Sequence, residues 1–452
     1  MFRNKIKPFK KTLRDTLFFI RLTLKREISF FRLLKRVRNR ILGLKSVYQI
    51  LTRLTKIDFI DTDLEEKHIK IGLVDIKKTV EFRFINRTER VVLSEILKLT
   101  NEGLNSTIFN VAEKERLSDL LDAHHEKLSC DFLEGIEVLF NLSGYLSLSF
   151  KARQLVQTKY LDKYSDNRPV DYLDIRKLCI LFLLNDERQR AALLLDSVRG
   201  TWRKYHAPAW DKLFKLATME HVNFFDPYRK HPLAESAYLG LVKDKDIIMV
   251  GPTPFNEREL DTFPQETITR LSIGYRGQSS LNDLGVDISY YNKATQLFMI
   301  SEKNPDQDMA FLSQLSFAVT KGRTKLSRHY RLDGRNRTSL SGASNLFFNG
   351  YENMMQLVLF DLLSFSPKSI KLVGFNMFVA EKQERYRVDY NYYDSFRTRE
   401  LHSYAFHNLA SNYEFAKLLY KRNVFQADEP LKKVLSLSTE EYMNRLELTL
   451  FE

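Results

Sequence analysis

Four apolar residues, Ile247, Ile248, Met249 and Val250, run without alternation into Gly251 and Pro252. An unbroken run of this length predicts a parallel strand buried on both faces. With Pro254 following, no ladder can continue, so the backbone turns outward at the strand's carboxyl end, where open α/β sheets place their ligands. Similar runs recur downstream. Thr267 to Ile273 and Gly285 to Tyr291 read as further strands, Gln296 to Ile300 as another buried run, and Ile370 to Val373 as a strand closed by Gly374. Ala234 to Val242 and Phe311 to Lys321 have helical spacing. Alternation of this kind predicts a doubly wound, mostly parallel sheet over residues 231–452.

Upstream, the pattern differs. His68 to Asp75, Thr79 to Ile85 and Glu89 to Leu93 are strand-like, predicting a small β-rich unit within 46–110. Residues 111–230 are helical in spacing, as in FLEGIEVLFNL and IRKLCILFLLN, and Pro227, His231 and Pro232 mark a boundary. In residues 1–45, Leu13, Leu17, Ile20, Leu24, Ile28, Phe31 and Leu34 line one helix face.

Charge sharpens the reading of that arm. Fifteen of the 71 Lys and Arg residues but only two of the 57 acids, Asp15 and Glu27, lie in residues 1–45. The remainder is balanced at 56 to 55, so the net charge of +14 belongs almost entirely to the arm and argues against a nucleic-acid-binding body. Arg21, Lys25 and Arg26 interrupt any run approaching the roughly 20 apolar residues of a membrane span. A basic amphipathic helix suits the surface of an anionic bilayer on its cytoplasmic side, each cation contributing about 1 kcal/mol there. A partner-helix face and a nucleic-acid contact are the alternatives.

The candidate chemistry is sparse. Cys130 and Cys179 sit in apolar, helix-like sequence and read as buried thiols. Adjacent His124 and His125 point about 100° apart on a helix and lack metal-ligand spacing. The Asp-x-Asp triplets at 61/63, 244/246 and 306/308 are short and common, and no metal is expected. Arg328 to Asn345 is a long, basic connection that would serve as a lid, with Arg331, Arg335 and Arg337 suited to phosphate. Asn349 and Glu352 have capping-box spacing ahead of an apolar helix, whose amino end would face a phosphate.

IIMVGPTPF, RLSIGYR, DISYYN, FNGYENMMQLVLFDLL with SIKLVGFNMF, and AFHNLASNYEFAKLLY together resemble, in order and approximate spacing, the bacterial sialyltransferases of glycosyltransferase family 42. The resemblance covers about two fifths of the chain. It implies a Rossmann-like, sialyltransferase-like catalytic domain that is metal-independent and needs no cofactor beyond a CMP-sugar donor. Gly251, Pro252, Thr253, Arg270, Asn292, Asn349, Gly350 and Asn376 would contact that donor, with Arg335 from the lid. His407 is similar to the general base, with His402 the alternative, and Tyr386 or Tyr390 would assist the departing phosphate. Val250, Asn376 and Phe378 stand where the family has asparagine, aspartate and tyrosine. The implied function is inverting transfer of an acidic sugar such as sialic acid to a membrane-associated bacterial surface glycan, on the inner face of the cell membrane. A noncatalytic membrane-surface scaffold is the alternative.

Overall fold

The computed structural model describes residues 57–63, 68–73, 78–82, 86–104, 111–164, 172–197, 215, 233–260, 268–273, 285–292, 296, 312–321, 336–338, 346–348, 350, 352–379 and 407–451. The amphipathic arm lies outside them. All the described residues fall within one compact unit, 51–452.

The chain enters through an antiparallel sheet of β1 (Ile57–Asp63), β2 (His68–Leu73) and β3 (Lys78–Phe82), in that order. Helices α1 (Arg87–Leu104), α2 (Val111–His124), α3 (Cys130–Ser143), α4 (Leu146–Lys163), α5 (Tyr172–Leu184) and α6 (Arg188–Ser197) follow. The strand expected at Glu89 to Leu93 is instead the first part of α1. The reason is a capping box: Asn86 N donates to Glu89 Oε2 at 2.7 Å and Glu89 N to Asn86 Oδ1 at 2.9 Å. The other oxygen of Glu89 accepts from Ser129 N and Oγ, so a carboxylate only 1% exposed is fully engaged at the heads of two helices.

After α7 (Leu233–Val242) the large sheet begins. Its strands are β4 (Asp246–Val250), β5 (Ile268–Ile273), β6 (Ile288–Tyr291), β7 (Phe317–Thr320), β8 (Asn336–Thr338), β9 (Ser369–Val373) and β10 (Gln426–Ala427). They lie in the order β10-β9-β4-β5-β6-β7-β8, every neighbouring pair parallel. The chain thus winds outward from β4 in one direction and returns to build on its other side, as expected of a doubly wound sheet. β4 is buried along its whole length. The helix expected over Phe311 to Lys321 shrinks to a turn at 312–314, and Phe317–Thr320 is a strand instead. Four buried residues ending in Val and Thr are too few for periodicity to distinguish the two, and pairing with β6 decides.

Helix α8 (Met354–Leu363) leads into β9, and α9 (Leu409–Lys421) into β10; α10 (Glu429–Ser436) and α11 (Thr439–Phe451) close the unit. Beneath the sheet, Arg337 of β8 makes a bidentate pair with Asp361 of α8, at 2.5 and 2.9 Å. Tyr290 also donates to that carboxylate, and Tyr238 joins Tyr290. Arg337 is therefore a core residue stacked on Tyr238 and Phe365, not a lid residue facing phosphate. Among the described residues no helix is long and apolar enough to cross a membrane.

Candidate functional site

Parallel strands leave their carboxyl ends on one edge, and the reversal of strand order puts β4 and β9 side by side there. Val250 pairs with Val373, so Gly251 and Gly374 emerge together. Gly251 N donates to Val373 O at 2.8 Å, and Thr253 N to Gly374 O at 3.0 Å. A Cβ on Gly251 would lie 2.1 Å from Gly374 O, so only glycine permits this approach. Gly374 itself has φ +71°, and a Cβ there would stand 2.8 Å from Thr253 O. Pro252 is half-buried and Thr253 buried.

The turn is held from a third side. Asp428, just after β10, accepts from Gly374 N at 2.7 Å and, through its other oxygen, from Leu431 N at the head of α10. Burial raises its pKa, while the two amides act to lower it. Next, Asn376 Oδ1 accepts from Phe378 N at 3.0 Å, and Met377 and Phe378 are both left-handed, at φ +49° and +70°. Asn376 thus uses its side-chain oxygen to shape its own turn.

A second junction joins the heads of α8 and α9. Gly350 is exposed, with φ +92°, and a Cβ there would lie 2.3 Å from Asn408 Cβ. Asn408 caps α9 by accepting from Ser411 N at 2.9 Å, and half-buried His407 immediately precedes it. The structure therefore sets Gly350 against Asn408, the residue after His407, across a contact with no room for a methyl group. Helix α8 starts at Met354 with Asn353 as its cap, accepting from Met355 N and Gln356 N, so the box expected at Asn349 is replaced by one residue four positions later. Two of the amides expected to meet a phosphate, Met355 N and Gln356 N, are consequently occupied.

The helical half of the molecule supports this junction. Arg153 of α4, fully buried, donates to Ser411 Oγ at 2.5 Å, Asn408 Oδ1 at 3.3 Å and Glu414 Oε2 at 2.5 Å. Asn408 Nδ2 donates to Glu137 Oε1 at 2.5 Å, itself 3.6 Å from Arg153. Arg153 also lies over the Phe348 ring, 5.0 Å from its centre. Burial pushes the Glu414 carboxyl above its ordinary range, partly opposed by Arg153 and reinforced by Glu137.

Asn292 is half-buried past the end of β6, where its carbonyl accepts from Gln296 N at 3.1 Å. Arg270 is placed elsewhere: it is opposite Ile248 in mid-strand, and a Cβ on Gly285, three residues ahead of β6, would stand 3.7 Å from its Nη1. It therefore faces the amino side of the sheet rather than the carboxyl edge. Asn349, Arg335, Tyr386, Tyr390 and His402 lie outside the described residues. Of the acid triplets, Asp246 is engaged at the amino end of the sheet by Lys368 and Ser369. No cluster of three or more potential metal ligands occurs among the described residues.

Asp428 had a local signature, since an Asp followed by Glu429 and Pro430 starts a helix. Arg153 had none. Compared with protein-family models, curated proteins and solved structures, the chain matches none.

Proposed function

We propose that the protein is an inverting glycosyltransferase of sialyltransferase-like type, transferring an acidic sugar from a CMP-sugar to a hydroxyl of a membrane-associated surface glycan. The observation that supports this reading is the contact of Gly350 with Asn408, the cap of α9, one residue after His407. Transfer to a hydroxyl requires a base within about 3 Å of that hydroxyl, and a neutral imidazole, with an ordinary pKa near 6.5, serves at neutral pH. His407 takes the acceptor proton as the acceptor oxygen attacks the sugar's anomeric carbon and the CMP phosphate leaves. Thr253, Asn292 and the turns at Gly251 and Gly374 border the donor; Tyr386 or Tyr390 would hydrogen-bond the departing phosphate, without a metal. The arm, 1–45, would hold the enzyme on the anionic inner face of the membrane, close to its glycolipid acceptor.

The test is His407→Ala, assayed with CMP-sialic acid and a glycan acceptor. Loss of a positioned base lowers turnover by about 10² to 10⁴. A normally folded variant with unchanged turnover refutes the assignment. One observation favours the noncatalytic scaffold: the space opened by Gly251 is filled by the backbone of Gly374 rather than left for a ligand. A thermal-shift series separates the two, since a donor site is stabilised by CMP above UMP, GMP and AMP, whereas a scaffold responds to none.

A further inference from the structure

At the start of α8 several hydrogen-bond donors are engaged while two buried acceptors are not. Met355 N and Gln356 N are taken by the Asn353 side chain, Leu357 N by the Asn353 carbonyl, and Asn353 N by Asn412 Oδ1 at 2.8 Å. Lys321, at the end of β7, reaches Glu352 O and Oε1 at 3.4 and 3.5 Å. What remains is different in kind. Glu352 is 7% exposed, and its Oε2 has no partner. Gln356 is inaccessible; its Nε2 donates to Asn412 O at 2.9 Å, which leaves Oε1 as the end without a partner.

A buried carboxylate oxygen and a buried amide oxygen four residues apart are unsuited to the phosphodiester of a nucleotide sugar, which brings no hydrogen and repels a carboxylate. They suit neutral donors. We propose that Glu352 and Gln356 accept hydrogen bonds from ring hydroxyls of the ligand, so that this corner reads a sugar rather than an anion. The inference rests on the nucleotide-sugar reading above and gives its site a specificity-determining pair. Exposed Gly350 stands two residues upstream, and Lys321 is a third exposed, so the corner lies just beneath the surface. The hydroxyls belong either to the donor's ribose or to the sugar it carries.

The experiment measures calorimetric binding of CMP-sialic acid, CMP, 2′,3′-dideoxy-CMP and inorganic phosphate to the full chain and to Glu352→Met, with Gln356→Met as the variant to use if the first fails to fold. The expected result is about a tenfold weakening for CMP-sialic acid in the variant, the usual order for a lost hydrogen bond to a charged group, with any phosphate binding unchanged. If the ribose is the source, CMP weakens equally and the dideoxy compound is already weak with the wild type. If the transferred sugar is the source, only CMP-sialic acid weakens. A folded variant that binds CMP-sialic acid as tightly as wild type overturns this inference alone, leaving ordered water as the partner of both oxygens. Failure of the wild type to bind any cytidine compound overturns the donor reading and this one with it.

Discussion

Arg337 and Arg153 are almost equally inaccessible, yet their surroundings differ. Arg337 faces one carboxylate, Asp361, in a matched pair enclosed by Tyr238, Tyr290 and Phe365. Arg153 divides its donors among Ser411, Asn408 and Glu414, with Glu137 nearby, and so joins α4 to the head of α9. The first arrangement is closed and holds strand to helix within the sheet's own core. The second ends on residues next to His407. A buried cation with one partner supports packing, whereas one with partners on a distant helix sets the position of whatever that helix head carries.

The largest expected effect breaks the closed pair. Asp361→Ala leaves a buried guanidinium uncompensated, and denaturant unfolding should show a loss of about 3–5 kcal/mol. A loss under about 1 kcal/mol would mean that Arg337 reaches water. Arg153→Met should lower stability by about 2 kcal/mol, less because Glu414 can take up a proton when its cation is gone. It should also reduce turnover in the folded fraction, which Asp361→Ala should leave intact. Asn408→Ala removes a helix cap, with an expected loss of about 1 kcal/mol. An unchanged melting curve would show that the link from Glu137 to α9 is dispensable.

The smallest effect is a pH slope. Because burial raises the Glu414 pKa in the folded state, the native protein holds that proton after the unfolded chain has released it. Its contribution to stability is present below the ordinary carboxylate pKa and is lost as pH rises through the folded value. Comparing wild type with Glu414→Gln across that window should show the wild type losing stability relative to the variant as pH increases. Parallel curves would remove the burial argument.

What the sequence disclosed follows from range. The strands at Ile247 to Val250 and Ile370 to Val373, each stopped by glycine, are local facts of composition and are legible. So is the helix following His407. Glu89 to Leu93 misleads because its apolar residues fit either period, and the deciding signal is Asn86, three residues before Glu89. Asn353 was obscured by Asn349, which offers the same cap chemistry one turn too early. Arg153 cannot be read from its neighbours, because its partners lie more than 250 residues away. Arg337 looks like part of a polar connection until a carboxylate from α8 meets it.

Asp428 gives the chain a timetable. The Gly374 amide is held by a carboxylate more than fifty residues further along, so a ribosome must release β10 before this last clamp on the sheet's central edge can form. Until then β4 and β9 have their sheet partners and the bonds from Gly251 N and Thr253 N, but not this third clamp at their shared end. Nascent chains halted ahead of residue 428 should therefore carry a formed core with a loose rim.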